Sequence, residues 1–328
     1  MATSQGLHAL LTGSIDYAGL FPPASLGVAE AASVFSRYQT HPEAWMLSKM
    51  VVTPANLPAL FESWRASGNS KPLTVSLVGR PSEDVTTFVG YLEEDIAALK
   101  PMLLANTAHL RVHSWEFRLP ESVTHRMPSY ATYDLLNRLA DIAEKETPGL
   151  SEMYFEVSLK GDWKNTIPSV LDSIFRTRVT RLKDSINVRH GFKLRCGGAT
   201  AEDFPSVDLV ALALRSCKNA QIPIKFTAGL HHPIRNYSEA LYTNQHGFLN
   251  IFVAALLVWT QNPDIETVKN VLNDMSHKRF LFTDEIVGWA PTQIDLETVT
   301  KCRQEFLTSF GSCSIEEPVT DLTSLGLL

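Results

Sequence analysis

Four successive strand-like stretches of this chain alternate apolar residues with polar or ionisable ones. The first sets Trp115 and Phe117 against Ser114, Glu116 and Arg118, and the second sets Phe155, Val157 and Leu159 against Tyr154, Glu156 and Ser158. The third sets Phe192, Leu194 and Cys196 against Lys193 and Arg195. The fourth sets Ile224, Phe226 and Ala228 against Lys225, Thr227 and Gly229. Side chains of a strand point alternately to its two faces, so each stretch has one greasy face and one charged or polar face. A sheet with helices on both sides should read apolar on both. Charges directed into a closed barrel can instead be solvated toward its mouth, where such folds place their active sites.

Strand and helix signals recur around these stretches. Strands are expected over 14–19, 46–52, 73–78, 112–119, 153–159, 190–196, 224–228 and, more weakly, 280–284. Helical spacing appears between them, for example at Leu135, Leu139 and Ile142 and over Val207 to Arg215. Eight such alternations predict a (β/α)8 TIM-type barrel with a C-terminal extension, the barrel spanning 1–290 and a helix and tail spanning 291–328. No glycine-rich GxGxxG turn follows the first strand, which disfavours an open dinucleotide-binding sheet.

With 328 residues and a net charge of −6, the chain lacks the basic footprint of a nucleic-acid binder. Its longest apolar run, Phe248 to Trp259, is too short to span a bilayer, so no membrane partner is expected. The four cysteines are scattered, and no basic, apolar leader follows Met1. A cytoplasmic protein is expected, and a homo-oligomer fits the composition as well as a monomer does.

On the parity reading, Glu116, Arg118, Glu156, Lys193, Arg195, Lys225 and Thr227 converge on one cavity. A lysine becomes nucleophilic when its ammonium loses a proton, which desolvation and a neighbouring cation both favour. Lys193 and Lys225 are expected to play that part for each other, with Glu116 or Glu156 moving the proton. The same residues also suit a purely structural set of buried ion pairs. Arg118, Arg195, Thr227, His231, His232 and Asp16 are expected to bind substrate. The apparent excess of cations points to a small anionic substrate, such as a carboxylate.

The residues from Phe192 to Gly229, with Glu116, resemble those of deoxyribose-phosphate aldolase-like class I aldolases. In that family a strand-six lysine forms a Schiff base, a Gly-Ala-Thr-x-Glu-Asp run follows, and strand seven carries a second lysine. Here Lys193, Gly198 to Asp203, and Lys225 stand in those places, with Glu116 where the family has an aspartate. The chain departs from the family at Leu194-Arg195-Cys196-Gly197, which replaces Ser-Thr-Gly. It also has Ile286-Val287-Gly288-Trp289 where a small phosphate-holding turn would lie.

The expectation is therefore a lysine-dependent, cofactor-free lyase or aldolase acting on a small anionic oxo compound. Two alternatives remain open. One is an enolate-forming isomerase or dehydratase assisted by a divalent metal such as Mg²⁺. The other is a non-catalytic barrel that binds an anionic metabolite or a partner protein. No HxH or HExxH pattern marks a zinc hydrolase, and no metal ligand is assigned. Cys196, on the apolar face, is not expected to act as a nucleophile.

Overall fold

The four strands predicted by alternation belong to one closed barrel. In a computed structural model that describes residues 3–69, 71–126, 129–183 and 187–328, the elements in chain order begin with α1 (Gln5–Leu11), β1 (Ile15–Tyr17), α2 (Val28–Tyr38), β2 (Leu47–Val52), α3 (Leu57–Ala66) and β3 (Leu73–Val78). They continue with α4 (Val85–Ala105), β4 (Leu110–Arg118), α5 (Glu121–Arg126), α6 (Ser129–Glu146), β5 (Glu152–Glu156), α7 (Trp163–Lys183) and β6 (Arg189–Arg195). Next come α8 (Val207–Asn219), β7 (Ile224–Thr227), β8 (Asn236–Ser238), β9 (Thr243–Gln245), α9 (Phe248–Thr260) and α10 (Ile265–Asn273). The last are β10 (Phe280–Phe282), β11 (Ile286–Trp289), β12 (Thr292–Asp295), α11 (Leu296–Glu305), β13 (Leu307–Ser312) and α12 (Glu316–Ser324).

Eight strands form a closed barrel in the order β1-β13-β7-β6-β5-β4-β3-β2, with helices between them. The barrel is thus a (β/α)8 TIM-type fold. Its eighth strand is β13, where the sequence pointed to 280–284. The apolar run Phe280–Phe282 does form a strand, but it belongs to an antiparallel sheet, β10-β11-β12. The expected boundary at 290 therefore falls between two strands of that sheet, and the supposed tail supplies barrel structure. β13 pairs in parallel with both β1 and β7. It was hard to read because its inward residues are the small Ser309 and Gly311, with Phe310 facing out onto the Phe248 and Phe252 rings.

The helix starts follow from local chemistry. Ser4, Asp84, Ser206, Asp264 and Asp295 each accept a backbone N–H three residues on, at the first turns of α1, α4, α8, α10 and α11. Each such cap is worth about 1 kcal/mol.

The chain divides into two compact units. One comprises Ala18–Thr40 and Lys49–Lys193. Its core holds Trp115 stacked on Phe117, and Phe117 stacked on Phe155, with ring centroids 5.6 and 6.1 Å apart. At the N-terminal ends of its strands, Glu152 gathers Lys49, His113, Arg189 and Tyr154. Burial opposes charge on Glu152, but the His113 hydrogen bond and the Lys49 and Arg189 charges prevail. They hold its carboxyl well below the usual carboxylate range.

The other unit comprises Met1–Tyr17, His41–Ser48 and Leu194–Leu328. Its centre is α9, buried from Phe248 to Val258 and packed on α8, α10, α11 and β13. The polar Asn250 is accommodated there because its amide donates to the Val271 and Asp274 carbonyls and accepts from the Arg235 N–H. Among the described residues no helix is long and apolar enough to cross a membrane.

Candidate active site

Strand pairing sets the first lysine opposite its acids. β4 and β5 bring Arg118 level with Glu156, and β5 and β6 bring Glu156 level with Lys193. Two residues back along β4, Glu116 shares the face of Lys193. The Lys193 Nζ lies 2.9 Å from an oxygen of Glu116 and 2.9 Å from an oxygen of Glu156. All three sit near the C-terminal ends of their strands, the end that carries chemistry in this fold. Lys193 keeps 8 % of its side chain exposed, and both acids are buried.

The two acids are held differently. The second oxygen of Glu116 accepts the Ser76 hydroxyl at 2.5 Å, and Ser76 in turn accepts the Ser114 hydroxyl at 2.7 Å. That relay fixes Glu116 through two neighbouring strands. Glu156 ends β5, where the chain leaves the barrel.

The second lysine belongs to the other compact unit. Lys225 on β7 donates to Asp16 on β1 at 2.5 Å, and Asp16 also accepts the Ser309 hydroxyl of β13 at 2.7 Å. Its side chain is 1 % exposed and Asp16 is fully buried. Each lysine thus touches carboxylates, which favour the ammonium over the free amine. These carboxylates act against the activation by a neighbouring cation expected from the sequence.

The remaining expected binders are more dispersed. Arg118 is 52 % exposed and lies 4.0 Å from Glu121. Arg195 is exposed as well. Both are the last residues of their strands, so their long stems carry the guanidinium groups out to water. Lys193 itself meets two acids, Glu116 and Glu156. Thr227 is half-buried, and its carbonyl accepts the Cys196 N–H at 2.8 Å. His231 and His232 do not point apart as strand neighbours would. They lie in the loop after β7 and meet Glu317 and Asp321 of α12 at 3.1 and 2.6 Å.

That loop is tightly built. Ala228 and Gly229 both adopt positive φ, at 56° and 69°. A side chain on Gly229 would collide with the Cys196 carbonyl and the Gly197 Cα at 2.7 Å. The Gly198 to Asp203 run forms a capped single turn in which the Asp203 carboxylate accepts the Thr200 N–H and hydroxyl. Burial pushes the Cys196 thiol well up, so it is inert.

Sequence reasoning missed the hydroxyls of Ser76 and Ser309, which orient the acids, the Ser114 hydroxyl that donates to Ser76, and the grouping of Cys313 with His231 and Glu317. Ser309 was missed along with β13. Ser114 lay on the predicted inner face, two residues before Glu116, and could have been named.

No family model and no curated protein matches this chain. Among solved structures it is similar to a D-tagatose 3-epimerase-like protein, with 13 % identity and a TM-score of 0.35 over 85 % of this chain and 96 % of that one.

Proposed function

We propose that this barrel is an enzyme of carbonyl chemistry in which Lys193 forms a Schiff base with a small oxo compound, in the manner of a class I lyase or aldolase. One observation carries the reading: a slightly exposed ammonium placed equally, at 2.9 Å, between two buried carboxylates at strand C-termini. Proton transfer from Lys193 to Glu156 yields a neutral amine and a neutral acid without changing the net charge of the cluster. The amine then adds to the carbonyl carbon, and its proton passes to the oxygen. Glu156 protonates the resulting hydroxyl, which leaves as water, and an iminium remains on Lys193. Glu116, which accepts the Ser76 hydroxyl, is the counter-ion of that iminium. Arg118, exposed at the end of β4 and level with Glu156, is the cation available to a carboxylate on the substrate.

Borohydride reduction in the presence of a panel of small 2-oxo acids, ketones and aldehydes tests this reading. A reduced adduct mapped to Lys193, absent from Lys193→Met, is the expected result. A panel that leaves Lys193 unmodified would overturn it.

A second reading rests on the convergence of the Glu116 and Glu156 oxygens on one point, as in a pair of ligands to a divalent cation supporting an enolate. Manganese binding that is lost in Glu156→Gln, without any lysine adduct, would favour it. Ion-paired lysines also suit a non-catalytic barrel that binds an anionic metabolite, for which neither adduct nor metal binding is expected.

A further inference from the structure

The loop after β7 and the turn after β13 leave adjacent parallel strands at the same end of the barrel. They bring together three side chains of different chemistry. His231 Nδ1 lies 3.1 Å from Glu317 Oε2 and 4.0 Å from Cys313 Sγ, and the three donor atoms all lie within 4.8 Å of one another. All three belong to one compact unit.

We propose that His231, Cys313 and Glu317 form a three-ligand site for a divalent transition metal of the zinc class, with a fourth position open. The donor set selects the metal. A thiolate disfavours Mg²⁺ and Ca²⁺, which take oxygen ligands, while sulfur, imidazole and carboxylate together suit zinc. Zinc–ligand bonds of about 2.0–2.3 Å in a tetrahedron separate neighbouring donors by roughly 3.3–3.6 Å. Two of the three separations bracket that range and the third pair lies within 4.8 Å, so side-chain shifts of up to about 1 Å complete the geometry.

The supports of the three ligands are local and firm. His231 follows the constrained Ala228-Gly229 pair and precedes Pro233. The chain beyond it is pinned where the His232 and Pro233 carbonyls accept the first N–H groups of α9 at 3.0 and 2.9 Å. Cys313 follows β13 directly. The Ser312 hydroxyl donates to the Ser314 carbonyl, and the Ser314 hydroxyl accepts the Glu317 N–H at 3.2 Å, which sets the start of α12. Glu317 and Asp321 then lie on one face of that helix, four residues apart. Asp321 takes the neighbouring His232 and leaves Glu317 for His231. A catalytic Cys-His-Glu triad fits less well, because the thiol and the carboxylate both approach the same ring nitrogen.

The competing account is that α12 docks through two acid–histidine pairs and Cys313 is incidental. Cobalt titration of the full chain, stripped of metal with a chelator, separates the two. Binding of Co²⁺ with a thiolate-to-cobalt charge-transfer band, displaced by Zn²⁺, is expected. The band should vanish in Cys313→Ser, and Glu317→Gln should weaken affinity by at least about tenfold. Thiol alkylation gives an independent readout, since Cys196, Cys217 and Cys302 are buried. Zn²⁺ should slow alkylation of Cys313 in the wild-type chain and do so less in Glu317→Gln. Absence of the charge-transfer band, its persistence in Cys313→Ser, or an alkylation rate indifferent to Zn²⁺ would each overturn the site.

Discussion

Lys193 and Lys225 occupy matching places on neighbouring strands of one βαβ unit, yet they have different surroundings. Lys225 meets the Asp16 carboxylate, which is oriented by a serine on the strand between, and the pair is fully buried. Lys193 meets two carboxylates and retains some exposure. A fully buried pair joins β7 to β1 around β13 and reads as scaffold. A lysine shared by two carboxylates and slightly exposed to water has a proton to move. The same residue type at equivalent positions thus serves closure in one unit and, on the proposal above, chemistry in the other.

The largest expected effect is on the scaffold pair. Asp16→Asn leaves the Lys225 ammonium buried beside an amide, and breaking a buried pair from one side costs about 3–5 kcal/mol. Chemical denaturation should show that loss. Much of it should return in Asp16→Asn combined with Lys225→Met, because the buried ammonium is removed as well. A double variant no more stable than the single one would remove the distinction drawn for Lys225.

Acid probes the same unit without touching either lysine. His246 is buried, with its Nε2 bonded to the Pro205 carbonyl at 2.7 Å and its Nδ1 facing the Arg235 guanidinium at 3.3 Å. The neutral ring with a proton on Nε2 satisfies both neighbours. Burial first, and then the Arg235 charge, press its pKa down to about 4 from 6.5. The unfolded chain therefore takes up a proton first as pH falls. Stability from this group is complete above pH 6.5, declines between 6.5 and 4, and falls no further below that. The decline should amount to roughly 3 kcal/mol. The difference between wild type and His246→Gln, measured by denaturation across that window, isolates it. Equal slopes for the two proteins would refute it.

The Lys193 cluster should respond in the opposite sense, with a large chemical effect and a small structural one. Glu156→Gln keeps the Lys193–Glu116 pair, so stability should change by no more than about 1 kcal/mol. Borohydride trapping at Lys193, in contrast, should be lost with the proton carrier. If Glu156→Gln unfolds the protein as readily as Asp16→Asn does, both clusters are scaffold and the contrast disappears.

What the sequence revealed and what it hid follow from the same geometry. A strand has period two, so the shared face of Glu116, Glu156 and Lys193 was legible from alternation alone. Parity gives the face of a side chain but not its height along the barrel, which is why Arg118 and Arg195 were placed inside when they reach water. The eighth strand was hidden because Thr308, Ser309, Gly311 and Ser312 dilute its apolar signal. Phe280–Phe282 carries the apolar signal of a strand, but local pattern does not name a strand's partner. The His231, Cys313 and Glu317 grouping spans 82 positions between its first two members and has no local signature at all.

The smallest expected effect comes from the loop that joins the scaffold lysine to the histidines. Ala228 holds φ at 56°, a left-handed conformation that costs a residue with a Cβ about 1–2 kcal/mol. Glycine adopts it without that cost but gains freedom in the unfolded chain, which offsets part of the gain. Ala228→Gly should therefore stabilise the fold by about 0.5–1 kcal/mol, read as a higher denaturation midpoint at unchanged slope. The strain lies just past Lys225 and outside the Lys193 cluster, so trapping at Lys193 should proceed at the wild-type rate. A slower rate would mean that the strained turn is coupled to the chemistry, and the two lysines would then have to be treated as parts of one site.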